Sequence, residues 1–218
     1  MSKKSKTPWP TKAVMQQIYD KHLWGGKDSD FYSGEGSHNP EITKPYIEVV
    51  SGFLKSKNNE LTVCDFGCGD FNIGKYLVED TKYYFGIDIV ESLIERNRVL
   101  FQLENLEFQC LDISKDELPK ADCVILRQVL QHLSNTEIKS ITHKLSSYRY
   151  IILTEHLPAG DFVPNKDKIA SQGIRLKQNS GVDLLAEPFS LNIKEEQLLN
   201  EVILKNNKGK IRTTLYTL

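Results

Sequence analysis

Between residues 61 and 157 the chain repeats one pattern: a short apolar run, a polar or glycine-bearing break, then a stretch of helical period. The runs are Leu61–Asp65, Tyr83–Asp88, Leu106–Asp112, Ala121–Leu126 and Arg149–Thr154, and helical spacing is expected from Ile73 to Val78, Ile89 to Leu103 and Thr136 to Leu145. Near-continuous apolar runs suit the strands of a parallel sheet with helices on both faces. Right-handed crossovers leave few ways to connect them, so a doubly wound α/β sheet is expected. Near the end the period changes. Glu201–Lys205 and Lys210–Thr217 alternate around the turn Asn206-Asn-Lys-Gly209, which predicts a C-terminal antiparallel hairpin.

The flanks are helical or irregular. Thr11–Leu23 and Pro40–Lys55 have helical spacing, Trp24–Ser37 reads as an ordered loop, and Leu157–Leu191 as a long irregular segment. The expected division is a helical and looped cap, residues 1–58, over a ligand-binding sheet domain, residues 59–218.

At 218 residues the chain is long enough for one such domain, and 28 basic against 29 acidic residues give a net charge of −1. That balance argues against a nucleic-acid partner. The basic clusters Lys3–Lys6 and Lys205–Arg212 are short and read as solvated. No run approaches the roughly 20 apolar residues of a bilayer span, and MSKKSKTPWP has no apolar core of a secretory leader. Cys64, Cys68, Cys110 and Cys123 lack neighbours that would complete a zinc pattern. Reduced thiols in a cytoplasmic protein, with neither metal nor membrane partner, are expected; no feature of the sequence fixes an oligomeric state.

The chemistry gathers where the strands end. Asp65-Phe-Gly67-Cys68-Gly69-Asp70 follows the first strand, Asp88 closes the second and Asp112 the third. Glycines there let the backbone bend and a ligand approach. A carboxylate at the end of the second strand accepts hydrogen bonds from ribose hydroxyls. Asp65 and Asp70 on either side of the bend are expected to favour a cationic group and to repel phosphate. The spacing G-x-G-x-x-x-x-G also departs from the dinucleotide G-x-G-x-x-G.

V-C-D-F-G-C-G-D, the acid in G-I-D, the pair Asp112-Ile113 and the block A-D-C-V-I-L-R-Q-V-L-Q-H-L resemble class I S-adenosylmethionine-dependent methyltransferases over Leu61–Leu157. The resemblance implies a seven-stranded, mostly parallel sheet and S-adenosyl-L-methionine as cofactor, with S-adenosyl-L-homocysteine as product. By the same resemblance Asp65, Gly67 and Gly69, with Cys68 between the glycines, line the methionine part. Asp88 binds the ribose, Ile89 packs on adenine, Asp112 and Ile113 cap the adenine edge, and the backbone of Arg127 meets the amino group. Trp24–Ser37 looks like the cap of small-molecule members, with Tyr32 and Ser37 on the cofactor's carboxylate or simply packed on the core. Phe71 stands where many members carry a third glycine, which implies a tighter pocket.

Methyl transfer to a hydroxyl or protonated amine needs a base. His132 after the fourth strand and His156 after the fifth are the candidates, with His38 in the N-terminal loop a third. Arg175, Lys177, Gln178 and Asn179 are candidates for holding an acidic or hydroxylated acceptor. After the fourth strand the chain reads Leu126-Arg-Gln-Val, without the Asn/Asp-Pro-Pro-aromatic tetrad of amino-methylating DNA enzymes. A small polar acceptor is therefore expected: a sugar, a nucleotide-sugar or a similar metabolite. A non-catalytic module that binds the same cofactor is an alternative. A nicotinamide oxidoreductase is another, although the Tyr-x-x-x-Lys pair of its short-chain class is missing.

Overall fold

The computed structural model describes residues 8–206 and 208–218. The cluster Lys3–Lys6 and Asn207 of the hairpin turn lie outside them. Seven strands form one sheet: β1 (Thr62–Phe66), β2 (Tyr83–Asp88), β3 (Leu106–Cys110), β4 (Cys123–Arg127), β5 (Tyr150–Leu157), β6 (Glu195–Ile203) and β7 (Lys210–Thr217). Their order is β3-β2-β1-β4-β5-β7-β6. β1 to β5 run parallel, while β7 is antiparallel to both β5 and β6. The order reverses between β1 and β4, the switch point at which open α/β sheets bind ligands beyond the carboxyl ends of the strands.

Alternation along each strand divides the core in two. Cys64, Phe66, Val124, Leu126, Ile151 and Leu153 face α5 (Asn135–Leu145) and Ile18 of α1 (Thr11–Asp20). Val63, Tyr84, Ile125 and Ile152 face Tyr46, Val50 and Leu54 of α3 (Pro40–Ser56). Residues of the expected cap thus complete both cores. α3 starts with Asn39 capping the Glu41 N–H and Pro40 in the first turn, where a missing N–H costs nothing. α5 starts with a reciprocal capping box between Ser134 and Glu137.

Several elements differ from expectation, each for a local reason. α1 stops at Asp20 because His22 takes φ +49° and turns the chain back. Inside the expected loop one helical turn, α2 (Glu35–His38), forms. No α-helix follows the glycine bend; Gly74–Tyr76 and Val78–Asp80 are single 3-10 turns. Phe71, at φ +60°, directs the chain into the core, and short turns suffice to bury Ile73, Leu77 and Val78. α4 is Glu91–Leu100 and ends where Phe101 becomes extended and packs on Phe71 and Phe108. β5 reaches Leu157 because β7 pairs with it as far as Lys210. β6 begins six residues before the expected Glu201, in the exposed stretch Glu195-Glu-Gln-Leu198 at the sheet edge. There it pairs only with β7, so both of its faces can be polar.

Candidate cofactor and acceptor site

Backbone hydrogen bonds build the floor of the site. The N–H groups of Gly67 and Cys68 both donate to the Ile87 carbonyl, at 2.7 and 2.9 Å, clasping the bend to the end of β2. Gly67 and Gly69 have φ of +76° and +56°, and a Cβ on either would overlap Val129 or the Ser33 hydroxyl. Asp88 is buried beside them. Its two oxygens accept from the Gly69 N–H at 3.1 Å and the Val90 N–H at 3.0 Å. Burial pushes its carboxyl up to about 6, against the pull of those N–H groups. Each oxygen keeps a lone-pair direction for a ligand hydroxyl.

Above this floor lies a cavity of about 650 Å³, within the range of cofactor sites. Gly67, Gly69, Asp88, Ile89, Asp112, Ile113, Ser37, Arg127, His132 and His156 all line it. The sequence reading therefore converges on one place. Ile89, Leu111 and Ile113 supply an apolar stretch at the end where Asp88 and Asp112 stand. Asp112 is partly occupied by its own turn, accepting from the Ser114 N–H and the Lys115 ammonium.

Other expected residues lie elsewhere. Asp65 and Cys68 line a smaller cavity of about 20 Å³, shared with Ser37, Tyr46, Gly67, Asp70 and Arg127. Asp65 accepts a hydrogen bond from the Tyr84 hydroxyl at 2.8 Å, and burial pushes its carboxyl up to about 7. Asp70 accepts from the Ser33 N–H at 2.9 Å and meets His38 at 2.6 Å. The two acids expected to flank the bend with negative charge are thus spent on internal contacts, and that part of the electrostatic expectation is corrected. Tyr32 is outside both cavities, donating to Glu35 and stacked on His38. Phe71 points into the core against Tyr84 and Phe108, so it does not tighten the pocket. Arg175 is 1% exposed and faces inward, donating to the carbonyls of Leu130, Gln131, Leu133 and Lys166 and to the Asn135 amide oxygen. It anchors the irregular segment; of the four acceptor candidates there, only Lys177 reaches the cavity.

The roof comes from the N-terminal segment. Ser33 docks on the bend, its hydroxyl accepting from the Asp70 N–H at 2.9 Å. Gln172 of the irregular segment donates to the Leu23 carbonyl and joins the two sides. Trp24, Gln128, Gln131, His132, His156, Gln172 and Lys177 also line the cavity. Sequence reasoning placed Trp24 and Ser33 within the Trp24–Ser37 cap without singling them out, and it missed Gln128 and Gln131, which follow β4, as wall residues.

The two histidines differ. His132 is buried against Trp24, ring centroids 5.2 Å apart, with Nδ1 3.2 Å from the Ser171 carbonyl. Burial, followed by the charge of Lys168, lowers its pKa to about 4, so the ring is neutral. In β5, His156 has Nε2 2.6 Å from the Lys208 carbonyl, to which it donates, and burial lowers its pKa as well. Its Nδ1 retains a lone pair.

Residues 64–148 match the family model described as a methyltransferase domain. No curated protein sequence matches the chain. Among solved structures, the N-methyltransferase NodS from Bradyrhizobium japonicum WM9, in complex with S-adenosyl-L-homocysteine, aligns with a TM-score of 0.66 and 12% identity over 94% of this chain and 98% of that one. Magnesium protoporphyrin IX methyltransferase from Synechocystis PCC 6803, with bound S-adenosylmethionine, aligns with a TM-score of 0.59 and 17% identity over 98% and 99%. The N-terminal domain of EvdMO1, solved in the presence of S-adenosylhomocysteine and D-fucose, gives 0.59 and 13% over 94% and 96%. Likeness at such identities is likeness of fold. The family model runs from the middle of β1 to the residues just before β5, the stretch that holds every strand-end acid; over these residues the chain matches a methyltransferase domain, and its fold is that of the solved methyltransferases above.

Proposed function

We propose that this protein transfers the methyl group of S-adenosylmethionine to a hydroxyl of a small polar acceptor, a sugar or nucleotide-sugar. The observation that carries the cofactor assignment is Asp88, a buried carboxylate anchored by two backbone N–H groups at the mouth of the glycine bend. Its remaining lone pairs suit two vicinal ribose hydroxyls. The residues present fit the nucleoside: Ile89 and Ile113 offer an apolar slot for the base, and Gly67 and Gly69 bring bare backbone to the cavity wall beside Asp88. The cofactor supplies an electrophilic methyl carbon on a sulfonium; the chain's own residues bind, orient and accept a proton.

Several features support the sugar reading. Trp24 offers an apolar face, and Gln128, Gln131 and Gln172 line the same cavity with amides that both donate and accept. EvdMO1's N-terminal domain was solved in the presence of D-fucose. His156 is assigned as the base, since its Nδ1 lone pair is left over once Nε2–H has bonded to Lys208. It takes the proton released as the acceptor hydroxyl becomes an ether. Both ring nitrogens of His132 already have protein partners, which assigns it to shaping the wall.

The test is turnover on a panel of sugars, nucleotide-sugars, phenols and amines, with S-adenosylhomocysteine measured by mass spectrometry. Product with a sugar or nucleotide-sugar, reduced in His156→Ala, supports the reading. Product only with a phenol or an amine refutes the acceptor class while leaving the cofactor assignment intact.

A further inference from the structure

Arg127 ends β4 with its guanidinium buried and is shared by both cavities. It donates from NH1 to the Ser37 hydroxyl at 3.1 Å and from NH2 to the Gly36 carbonyl, while its Nε has no acceptor. The plane lies over the Tyr46 ring, 4.8 Å from its centroid. Among the ion pairs of the described residues Arg127 takes no part. Asp65 and Asp70 act on it only from beyond ion-pair distance; burying a cation with no paired anion is costly, and an unbonded buried N–H adds to that cost. A site with this composition is suited to an incoming anion.

Given the cofactor reading above, the anion has one source. S-adenosylmethionine carries two cationic groups and a single carboxylate, at the end of its amino-acid part. Arg127 and Asp88 stand on β4 and β2, with β1 between them, so about 10 Å of sheet separates them. One wall can therefore hold the ribose at one end and the carboxylate at the other. We propose that the Arg127 guanidinium binds the cofactor's carboxylate and, through its bonds to Gly36 and Ser37, makes fastening of the roof depend on that carboxylate. The roof then closes for a ligand that carries the amino acid and stays loose for the bare nucleoside.

The test compares S-adenosylhomocysteine with 5′-methylthioadenosine, which keeps the nucleoside and thioether and lacks the amino acid. Calorimetry gives the two affinities, and hydrogen exchange reads the amides of residues 33–38. Wild-type protein is expected to prefer S-adenosylhomocysteine by about tenfold to a hundredfold, the range of charge-assisted hydrogen bonds, and only that ligand slows exchange in the roof. Arg127→Met loses most of the preference and all of the roof protection, yet binds 5′-methylthioadenosine like wild type, which also shows that it is folded. Arg127→Lys keeps the charge without the fork and falls between; it carries the comparison should the Met variant not fold. Undiminished preference in the variants, or equal roof protection by both ligands, overturns the proposal. Failure of wild type to bind either nucleoside overturns the cofactor reading itself, a different result from selective loss in the variants.

Discussion

The side-chain nitrogen of Gln131 stands 3.3 Å from His132 Nε2. The Gln131 oxygen is already used, accepting from the His156 backbone N–H at 3.2 Å, so the nitrogen side must face the ring and donate. His132 Nε2 is therefore the accepting nitrogen, and Nδ1 carries the proton that goes to the Ser171 carbonyl. One amide anchored on β5 sets the tautomer of a histidine on the neighbouring turn. Nitrogen-15 NMR of the imidazoles should show His132 protonated at Nδ1 and unchanged from pH 8 down to about 5, since burial holds its pKa near 4. Titration at the ordinary 6.5 contradicts this account.

Glu155 predicts a stability that falls as pH rises. Both of its carboxylate oxygens are buried without a partner, and burial pushes its pKa up to about 8, partly offset by the charge of Arg175. A carboxyl whose folded pKa lies above its unfolded value of about 4.5 binds its proton more tightly when folded. Its contribution is therefore complete below the unfolded value and is lost as pH rises towards the folded one. Between pH 6 and 8 wild type should lose about 2 kcal/mol through this group, measured by urea unfolding. Glu155→Gln should flatten that slope while matching wild type near pH 6; an unchanged slope in the variant refutes the assignment.

Arg175 should matter to stability more than its place in an irregular segment suggests. Replacing it with Met leaves the Leu130, Gln131 and Leu133 carbonyls without their buried donor. A loss of roughly 3–5 kcal/mol is expected, a fall of about 10 °C in thermal midpoint for a chain of this size. Arg175→Lys should recover only part of it, because one ammonium cannot span the carbonyls that the fork reaches. A shift below about 2 °C in the Met variant contradicts the role.

Phe71 holds a left-handed backbone at φ +60°, yet its ring is fully buried 4.8 Å from Phe108 and 5.1 Å from Phe101, centroid to centroid. The backbone strain of about 1 kcal/mol is outweighed by the buried ring. Phe71→Ala should cost about 3–5 kcal/mol in chemical denaturation while S-adenosylhomocysteine affinity stays within about threefold. Loss of binding with little loss of stability would return Phe71 to the pocket.

What the sequence made legible follows from where the information sits. β2 and β7 were read to the residue, since Tyr83–Asp88 is apolar between clear breaks and Lys210–Thr217 alternates. Asp88, with Ile89 beside it, was legible as a cavity residue because it closes a strand at the sheet's carboxyl edge, where the cavity lies. β6 was half hidden: an edge strand paired on one side need not be apolar, and Glu195-Glu-Gln carries no strand signal. Asp65 and Asp70 were placed correctly along the chain, but their partners Tyr84, Ser33 and His38 come from distant elements and appear only on folding. The same holds for Arg175, whose burial depends on carbonyls 42 to 45 residues away.

The most direct test is calorimetric titration of the purified protein with S-adenosylmethionine and, separately, NADH, on wild type and Asp88→Ala. Wild type should bind S-adenosylmethionine at one site and NADH not at all. The variant should weaken the former by about 1–3 kcal/mol, the cost of losing charge-assisted hydrogen bonds to the ribose. Wild-type binding of NADH in preference to S-adenosylmethionine, or equal S-adenosylmethionine affinity in the two proteins, would contradict the assignment of Asp88 and of the cavity it faces.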